Sequence, residues 1–502
     1  MTVSTLPCYR NFGVSQMNKN KVFVGVDFGT TNSTIAVVNP DGRISPHGPI
    51  PSLMAWENHE IVAYGQKARD MIHRGNPPYP LRDLKMQLEG GTVRLGSVMV
   101  NAIPLVADYL QELFNLAGIR MVDVHVVIGT PVRVGRAHRE NLRKAFYEAG
   151  LPAVQLIYEP TAALFGSLRD VSQLLSETVL VVDWGGGTLD IALIAVDDEH
   201  GFREVSVDGD VNDLGGSRMD QEIARQLLSH SSAARQAVES LPNGQNILLE
   251  AIERLKIEFL EDGSESEPRL VPGLPTKLFL DPELVFSVAR DFAVRARESI
   301  EAMLSRMQIS SDDITKILFA GGVSQSVITR DEIMALFPEA EEIHDDNPQL
   351  STGIGCAKLA QHSFSLELAS DFAVRQSDES LCVLLKQGQS VTANRYRKTE
   401  FMVTDVSADE AVFDFGLCHQ KPGTASLWAV DGRGFRSLHQ TFIRVGQPDL
   451  ERASKVPDIV QVFTGLDENL SVALFLRSQR SGSTVQDFIT GVPLTVRIGE
   501  PQ

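Results

Sequence analysis

The sequence predicts a two-part protein, a mixed α/β unit followed by an all-β unit. Up to about residue 365, apolar runs rich in Val and Ile alternate with helical patterns, and several runs end in a glycine cluster. Continuous apolar runs of this kind are typical of strands buried on both faces of a sheet. From about residue 371 the pattern changes to alternating strands and turns with almost no helical period, which is typical of an all-β domain.

The composition is that of an ordinary globular chain. Of the 502 residues, 43% are hydrophobic, 22% charged and 7% aromatic, so the chain can bury a substantial core. Single cores stop growing at about 250 to 300 residues, which excludes one compact domain. The 65 acidic and 46 basic residues give a formal charge of −19. This excess argues against nucleic acid or an anionic membrane as the main partner.

The cysteines and the N-terminal segment indicate a reducing, cytoplasmic location. Cys8, Cys356, Cys382 and Cys418 are widely spaced and show no zinc-binding pattern. The first residues lack the apolar core of a signal peptide, and no later stretch offers the roughly 18 apolar residues of a membrane span. We therefore expect free thiols, a flexible leader over residues 1–20 and no membrane partner.

Within the α/β unit, four apolar segments predict buried strands and three periodic segments predict helices. The strands are expected within residues 22–38, 124–132, 178–196 and 316–323. The helices are expected within residues 106–118, 136–150 and 219–230. Two of these helical patterns end at a glycine in the position of a C-cap.

A strand followed by an Asp-x-Gly turn occurs twice. The first copy is Asp27-Phe28-Gly29-Thr30-Thr31, and the second runs from Asp183 to Thr188. This duplication predicts two similar lobes that face one another, with both turns at the cleft. The small residues let backbone N–H groups approach a phosphate without interference from Cβ. The Asp can hold a hydrated Mg²⁺, which takes only one or two carboxylates besides nucleotide oxygens.

Each turn alone is more typical of a tight hairpin that carries a solvated Asp, and neither is a Walker A or Rossmann loop. Their pairing favours a clamp that holds one polyphosphate from both sides. Further glycine-rich and acidic elements lie at compatible positions, namely Tyr158-Glu159-Pro160-Thr161-Ala162-Ala163, Asp213-Leu214-Gly215-Gly216 and Phe319-Ala320-Gly321-Gly322.

Together these motifs resemble the nucleotide-binding superfamily of sugar kinases, actin and heat-shock chaperones, and within it the seventy-kilodalton, DnaK-type chaperones. The matching segments lie in the family's order between residues 22 and 360: GVDFGTTNSTIAVV, LRDLKMQLEG, VIGTPV with Arg139, IYEPTAAL, VVDWGGGTLDIAL, GDVNDLGGSRMD, IERLKIEF and ILFAGGVSQS. The resemblance implies a two-lobed actin-like ATPase domain, a duplicated ribonuclease-H-like fold, over residues 21–363. It implies a linker over residues 364–371 and a β-sandwich over residues 372–502.

The resemblance also implies two phosphate loops and a metal site. The loop residues are Gly29, Thr30, Thr31, Gly185, Gly186, Gly187 and Thr188. Asp27 and Asp183 match the positions that hold Mg²⁺ through its water shell.

The implied catalytic set consists of Lys85, Glu159, Asp183 and Thr188. A cationic Lys85 beside the γ-phosphate can orient the attacking water and offset developing negative charge. Glu159 matches a carboxylate near that water, which positions it or transmits the nucleotide state to the next domain. The alternatives are that Lys85 is a solvent-facing lysine and that Glu159 only begins a helix before Pro160.

The nucleoside end matches the family less completely. Glu253 and Lys256 lie three residues apart on a predicted helix, so they face the same side, and they match contacts to ribose and adenine. The matching glycine turns are Gly215, Gly216, Gly321 and Gly322.

Three departures affect the base site. The family's arginine on the adenine face is replaced by Gln325, a small hydroxyl residue by Val323, and an acidic residue by Gln349. We therefore expect phosphate and metal binding to be retained, with weaker or altered adenine recognition. The segment between Lys85 and Val124 is also shorter than in the family, which puts the family's nucleotide-exchange partners in doubt.

The second domain resembles the family's peptide-binding sandwich through its strand rhythm and the turn Asp467-Glu468-Asn469. The preceding stretch Phe364–Asp371 is apolar at alternate positions, which is compatible with a short edge strand or with a plain tether. The family continues with a helical lid, whereas this sequence ends at Gln502. We therefore expect a peptide cleft without a lid.

The predicted function is that of a chaperone-like ATPase that uses ATP/ADP and Mg²⁺. It would couple nucleotide state to an extended or unfolded polypeptide, and the resemblance implies a J-domain co-chaperone. The alternative is a nucleotide-dependent module that recognises one dedicated folded protein. A small-molecule kinase and a filament-forming protein are less favoured, because no substrate-binding insert is evident and an all-β domain occupies the C-terminal part.

Overall fold

The computed structural model describes most of the chain from Lys21 to Pro501. The residues within this span that it does not describe are 59, 73–77, 96–97, 152, 169–173, 198–200, 211–213, 230, 242, 264–266, 276, 392–395, 406–407, 419–433 and 447–456. The predicted leader, with Cys8, and Asp213 of the glycine-turn motif lie outside the described residues.

The first lobe is built around a five-stranded sheet. Its elements in chain order are β1 (Val22–Asp27), β2 (Asn32–Val38), β3 (Ile44–Pro51), β4 (Met54–Glu57), β5 (Glu60–Tyr64), α1 (Gly65–Ile72), β6 (Tyr79–Leu81), α2 (Leu84–Gln87), β7 (Thr92–Leu95), β8 (Val98–Asn101), α3 (Ala102–Leu116), β9 (Val124–Thr130), α4 (Arg136–Glu148), β10 (Val154–Tyr158) and α5 (Glu159–Ser167). The main sheet has the order β10-β9-β1-β2-β3.

The second lobe repeats this plan. Its elements are β11 (Thr178–Trp184), β12 (Leu189–Val196), β13 (Gly201–Asp210), α6 (Gly216–Ser229), α7 (Ser232–Ser240), α8 (Gly244–Asp262), β14 (Arg269–Leu270), β15 (Phe279–Leu280), α9 (Pro282–Met307), β16 (Lys316–Ala320), α10 (Val327–Met334), β17 (Glu341–Ile343) and α11 (Ser351–Gln361). The strand order β17-β16-β11-β12-β13 is the counterpart of that in the first lobe.

The two sheets share their chain direction as well as their order. In each, an antiparallel meander of three strands is extended by two parallel strands beside the first strand of the meander. The carboxyl ends of β1 and β11 therefore occupy equivalent places, and the turns that follow them meet between the lobes. This arrangement confirms the predicted duplication and the mixed α/β class.

The remaining strands are β18 (His362–Leu368), β19 (Phe372–Arg375), β20 (Leu381–Leu385), β21 (Arg397–Met402), β22 (Glu410–Cys418), β23 (Phe435–Arg444), β24 (Ile459–Leu466), β25 (Val472–Ser478), β26 (Thr484–Ile489) and β27 (Leu494–Pro501). Strands β19 to β26 form two antiparallel sheets, β20-β19-β22-β23 and β21-β24-β25-β26. Their inner faces bury a row of rings in which Phe413 and Phe372 each stack on Phe415. The predicted all-β region is thus confirmed, and we call strands β19 to β26 the sandwich.

The two strands that flank the sandwich belong to the sheet of the second lobe. β27 pairs with β13 through Gly201–Arg203 and with β18 along most of its length. Leu366 and Leu368 are only 3% and 0% exposed, and residues 362–368 form the edge strand of this sheet, which agrees with the edge-strand alternative rather than the plain tether. The alternating apolar side chains explain this arrangement, because one face of β18 packs into the core and the other carries Glu367, which bonds Arg497 at 3.1 Å.

The sandwich also docks on the first lobe through the turn after β24. Arg139 of α4 is fully buried and donates to the backbone oxygens of Asn469 at 3.1 Å and Val132 at 2.8 Å. Arg136 bonds Asp467 at 3.0 Å. The predicted turn at residues 467–469 is therefore an interdomain contact.

Cys356, Cys382 and Cys418 are free thiols, as predicted for the described cysteines. Among the helices that the structure describes, none is long and apolar enough to cross a membrane.

Candidate functional site

The candidate site is the cleft between the two lobes, where the two predicted phosphate loops face each other. A Cβ on Gly186 would lie 2.0 Å from the Thr31 hydroxyl oxygen, and one on Gly187 would lie 2.1 Å from that of Thr30. Only glycine allows this approach, so the threonines of the first loop require glycines at positions 186 and 187 of the second loop. All seven predicted loop residues line the same cavity: Gly29, Thr30, Thr31, Gly185, Gly186, Gly187 and Thr188.

Lys85 lies at the bottom of this cavity and forms a buried ion pair. Its Nζ is 2.5 Å from Oε1 of Glu159, and the two residues are only 3% and 6% exposed. Burial alone lowers the pKa of Lys85, but Glu159 and then Asp27 act more strongly in the opposite direction, so the pKa is raised. The lysine is therefore a fixed cation, and the alternative of a solvent-facing Lys85 is wrong.

Local structure explains how these two side chains meet. Asp83, in the left-handed region at φ 55°, precedes the short helix α2, and this turn directs Lys85 inward. Glu159 is the first residue of α5, followed by Pro160, a common residue at helix starts. Residues that lie 74 positions apart in the sequence are thus brought into contact.

The cavity holds more buried negative charge than Lys85 balances. Burial, together with Glu159, raises the pKa of Asp27 to about 7. Burial, followed by Glu159, Asp27 and Asp190, raises the pKa of Asp183 well above its usual range. Burial and Glu159 also raise the pKa of Asp190 to about 7. Carboxyl groups this close favour a bound cation, because it relieves their mutual repulsion.

Asp190 is a site residue that the sequence analysis missed. It lies directly opposite Asp183 in the β11–β12 register. Its Oδ1 accepts from the Val132 N–H at 2.8 Å, whereas its buried Oδ2 has no hydrogen-bond partner among the described residues. The signal was its position two residues after Thr188, in the strand that leaves the second loop.

These residues fit a hydrated magnesium ion. In the described part of the chain, no three His, Cys, Asp or Glu residues are grouped to enclose a metal. Mg²⁺ commonly keeps its waters and needs only one or two carboxylates. Asp27 and Asp183, at or next to the ends of β1 and β11, both line the cavity and can supply these carboxylates.

The nucleoside end of the cleft contains the other predicted residues. Glu253 and Lys256 both line the cavity from α8, together with Gly216, Gly321 and Gly322, whereas Gly215 packs behind the second loop. Lys256 is held by Asp220 of α6 at 2.8 Å and by the Gly216 carbonyl at 3.2 Å. The structure thereby adds Asp220 to the predicted set.

Two arginines of the first lobe reach across the cleft to α8. Arg69 lies 2.8 Å from Glu250 and 3.4 Å from Glu253. Arg82 pairs with Glu250 and lies 3.7 Å from Glu253. The sequence analysis missed this bridge, because ion pairs between distant segments leave no local pattern.

The surface next to Glu253 and Lys256 is largely apolar. Ile257, Leu260 and Val323 line the cavity, with Gln325 and Gln349 at its rim. Ile257 and Leu260 follow Glu253 at helical spacing on α8, so they were detectable from the predicted helix. A planar base in this pocket would meet aliphatic side chains rather than a stacked guanidinium.

Comparison with known proteins agrees with this geometry. The sequence profile of the MreB/Mbl protein family matches residues 21–232. The chain is 29% identical over 364 residues to the chaperone protein DnaK of Thermotoga petrophila, covering 68% of this chain and 59% of the relative. It is 28% identical over 381 residues to DnaK of Deinococcus radiodurans, covering 67% and 59%. The chain thus spans about three-fifths of the length of these relatives.

The duplicated lobes, the facing loops and these similarities define the class of protein as an actin-like ATPase fold. Within that class, the chain is similar to the DnaK chaperones over about two thirds of its length and to the MreB/Mbl family over residues 21–232.

Proposed function

We propose that the chain binds ATP and ADP between its lobes and slowly hydrolyses ATP, with the nucleotide state coupled to a polypeptide bound by the sandwich. The observation that carries the proposal is the buried Lys85–Glu159 pair at the bottom of the interlocked glycine loops. An ion pair that serves only stability usually lies at the protein surface. A phosphate-transfer site instead requires a fixed charge in a cavity that excludes water.

Each part of the cavity has a role in this proposal. The backbone N–H groups of the two loops hold the phosphates, and the hydroxyls of Thr30, Thr31 and Thr188 are additional donors. Asp27 and Asp183 hold Mg²⁺ through its waters, and the ion when bound neutralises phosphate charge. Lys85 offsets the charge that develops on the transferred phosphoryl group, and Glu159 orients the attacking water while keeping Lys85 in place.

The polypeptide is proposed to be an extended or unfolded segment, on the strength of the relation to DnaK and of the sandwich. The docking of Arg139 against the turn at residues 467–469 supports coupling, because it joins the sandwich to the lobe that carries Lys85. A J-domain co-chaperone and a cytoplasmic location form part of the same proposal.

A second candidate is a nucleotide-dependent module for one dedicated folded partner. The observation that favours it is the anchoring of the sandwich by β18 and β27 in the ATPase sheet. A domain held at both chain connections moves less than one held by a single tether, and a fixed surface suits one constant partner better than many unfolded segments.

The test is calorimetric titration with ATP and ADP, with and without Mg²⁺, followed by steady-state hydrolysis with and without an extended apolar peptide. We expect binding of both nucleotides and slow, Mg²⁺-dependent turnover that responds to the peptide. Absence of nucleotide binding would overturn the ATPase proposal. The dedicated module would be favoured if added peptide does not change the rate of ATP hydrolysis and the protein does not change the aggregation of an unfolded test protein.

A further inference from the structure

The residues on both sides of Glu159 are bonded to the segment that leaves the sandwich. Tyr158, the preceding residue, donates its hydroxyl to the Val492 carbonyl at 3.2 Å. Thr161, two residues after Glu159, donates to Oε1 of Glu204 at 2.5 Å. The other oxygen of Glu204 accepts from the Leu494 N–H at 2.7 Å.

The residues that form these hydrogen bonds are buried, and each carboxylate oxygen of Glu204 has a partner. Tyr158, Thr161, Val492 and Leu494 are 0% exposed, and Glu204 is 1% exposed. Both oxygens of Glu204 have a partner, one on the catalytic helix α5 and one at the first residue of β27. A buried carboxylate that loses one of its hydrogen-bond donors has no solvent water nearby to replace it. Loss of the Leu494 hydrogen bond therefore also weakens the Thr161 hydrogen bond, and the reverse holds as well.

Glu204 connects α5 directly with the first residue of β27. It lies on β13 just beyond the three residues that pair with β27. Its side chain thus continues the ladder by bonding the next backbone amide of β27 while it reaches α5 on the other side. Since Glu159 is the first residue of α5, a shift of this helix changes its separation from Lys85.

We propose that Glu204 is a positioning residue that makes ATP turnover depend on the seating of β27 in the ATPase sheet. When β27 is paired, Glu204 holds Thr161 and α5 in register, and Glu159 stays in contact with Lys85. When β27 is displaced, the Leu494 donor is lost and α5 loosens. Only residues 490–493 separate β26 of the sandwich from β27, so a displacement of the sandwich reaches this strand directly. The inference rests on the proposed ATPase function.

The enzymatic test compares three variants with the wild type. Glu204→Gln replaces one acceptor oxygen with a donor, and Thr161→Val removes the hydroxyl at nearly constant volume. We expect each to lower kcat roughly tenfold, which corresponds to about 1.4 kcal/mol of transition-state stabilisation, because one of the two buried hydrogen bonds of Glu204 is lost. KM should stay unchanged, because the phosphate loops are untouched. Thr161→Ser, which keeps the hydroxyl donor that Thr161→Val lacks, should have a kcat close to that of the wild type.

Ser206→Ala is the matched control. Ser206 is buried two residues further along β13, and its hydroxyl has no partner among the described residues. This variant should leave kcat unchanged. A loss of kcat equal to that in Glu204→Gln would show that any buried change in β13 disturbs the site, which would overturn a specific role for Glu204.

Hydrogen exchange without nucleotide separates the inference from the ATPase proposal. In Glu204→Gln, amides of residues 161–167 and of 495–499 should lose protection together, whereas Ser206→Ala should change neither. This result supports the link even if the wild type proves to have no ATPase activity. Faster exchange confined to β27, or unchanged exchange in both segments, would overturn it.

Discussion

The phosphate end and the nucleoside end of the cleft are built by the same two lobes but differ in how they are constrained. At the phosphate end, Gly186 and Gly187 contact the threonines of the opposite loop so closely that no Cβ fits. At the nucleoside end, Ile257 and Gln325 come from separate elements and are exposed at the cavity rim. A substitution at the phosphate end therefore disturbs both loops, whereas a substitution at the nucleoside end alters only the element that carries it.

The comparison explains which parts of the DnaK-like pattern persist. In the proposed function, phosphate would be held by backbone groups whose placement depends on steric contact across the cleft, so loop residues cannot change independently. The base would be held by side chains on α8 and on the turn after β16, and these can be exchanged one at a time. Three predictions test this difference, from the largest expected effect to the smallest.

Replacing Lys85 should have the largest effect. Lys85→Ala removes the fixed cation, and loss of one preorganised transition-state contact lowers kcat by roughly 10²- to 10³-fold. Nucleotide affinity should change little, because the loops remain. Single-turnover hydrolysis and calorimetry measure the two quantities.

Because Glu159 is left without its partner, Lys85→Met, which keeps the aliphatic stem, should be measured beside the alanine variant, with melting curves for both. Lys67→Ala is the control, since Lys67 is an exposed lysine of α1. Turnover near the wild-type rate in a folded Lys85 variant would remove this residue from the mechanism.

An effect of intermediate size is expected for the pH dependence of folding stability, through Glu204, which lies behind the phosphate loops. Burial raises the pKa of Glu204 to about 7 from 4.5, against the opposing effects of its Thr161 and Leu494 hydrogen bonds and of nearby Arg139. The folded state therefore binds the proton more tightly than the unfolded state. The contribution of Glu204 to stability is present below pH 4.5 and is lost as the pH rises through about 7.

Relative to Glu204→Gln, the wild type should lose about 2 to 3 kcal/mol of stability between pH 5 and pH 8, at 1.36 kcal/mol per pKa unit. Paired melting curves at the two pH values measure this change. The carboxylate also contributes to raising the pKa of Tyr158 above its ordinary value of 10, so this tyrosine does not titrate between pH 5 and pH 8. A constant difference between the two proteins would mean that Glu204 keeps one protonation state throughout.

The smallest effect is expected at the base. Gln325→Arg should tighten ATP binding by up to about tenfold, because a guanidinium stacked on an aromatic ring contributes roughly 0.5 to 2 kcal/mol. Gln440→Arg, at an exposed position of β23, controls for the added charge. An unchanged dissociation constant by calorimetry would indicate that Ile257, Leu260 and Val323 already cover the base.

The sequence was informative where function depends on local turns. The two Asp-x-Gly turns predicted the lobes, the cleft and the loop residues, because a glycine turn after a buried strand has few structural solutions. The family resemblance assigned Lys85 and Glu159 to one site, but their ion pair was not predicted, since it joins segments 74 residues apart. The alternating pattern of residues 494–501 is compatible with a strand, but nothing in it specifies that its partners are β13 and β18 rather than the sandwich.

The pairing of β18 with β27 makes the sandwich an insertion within a hairpin. Leu368 and Leu494, the last paired residues, are direct neighbours across the ladder, and Cα atoms of such pairs lie only about 4.5 to 5.5 Å apart. A two-residue Asn-Gly turn is long enough to join these strands. Residues 369–493 are therefore an insertion whose two chain connections lie side by side, and a short turn in their place would keep β18 and β27 paired. Another domain whose chain ends lie equally close would fit the same position between these two strands.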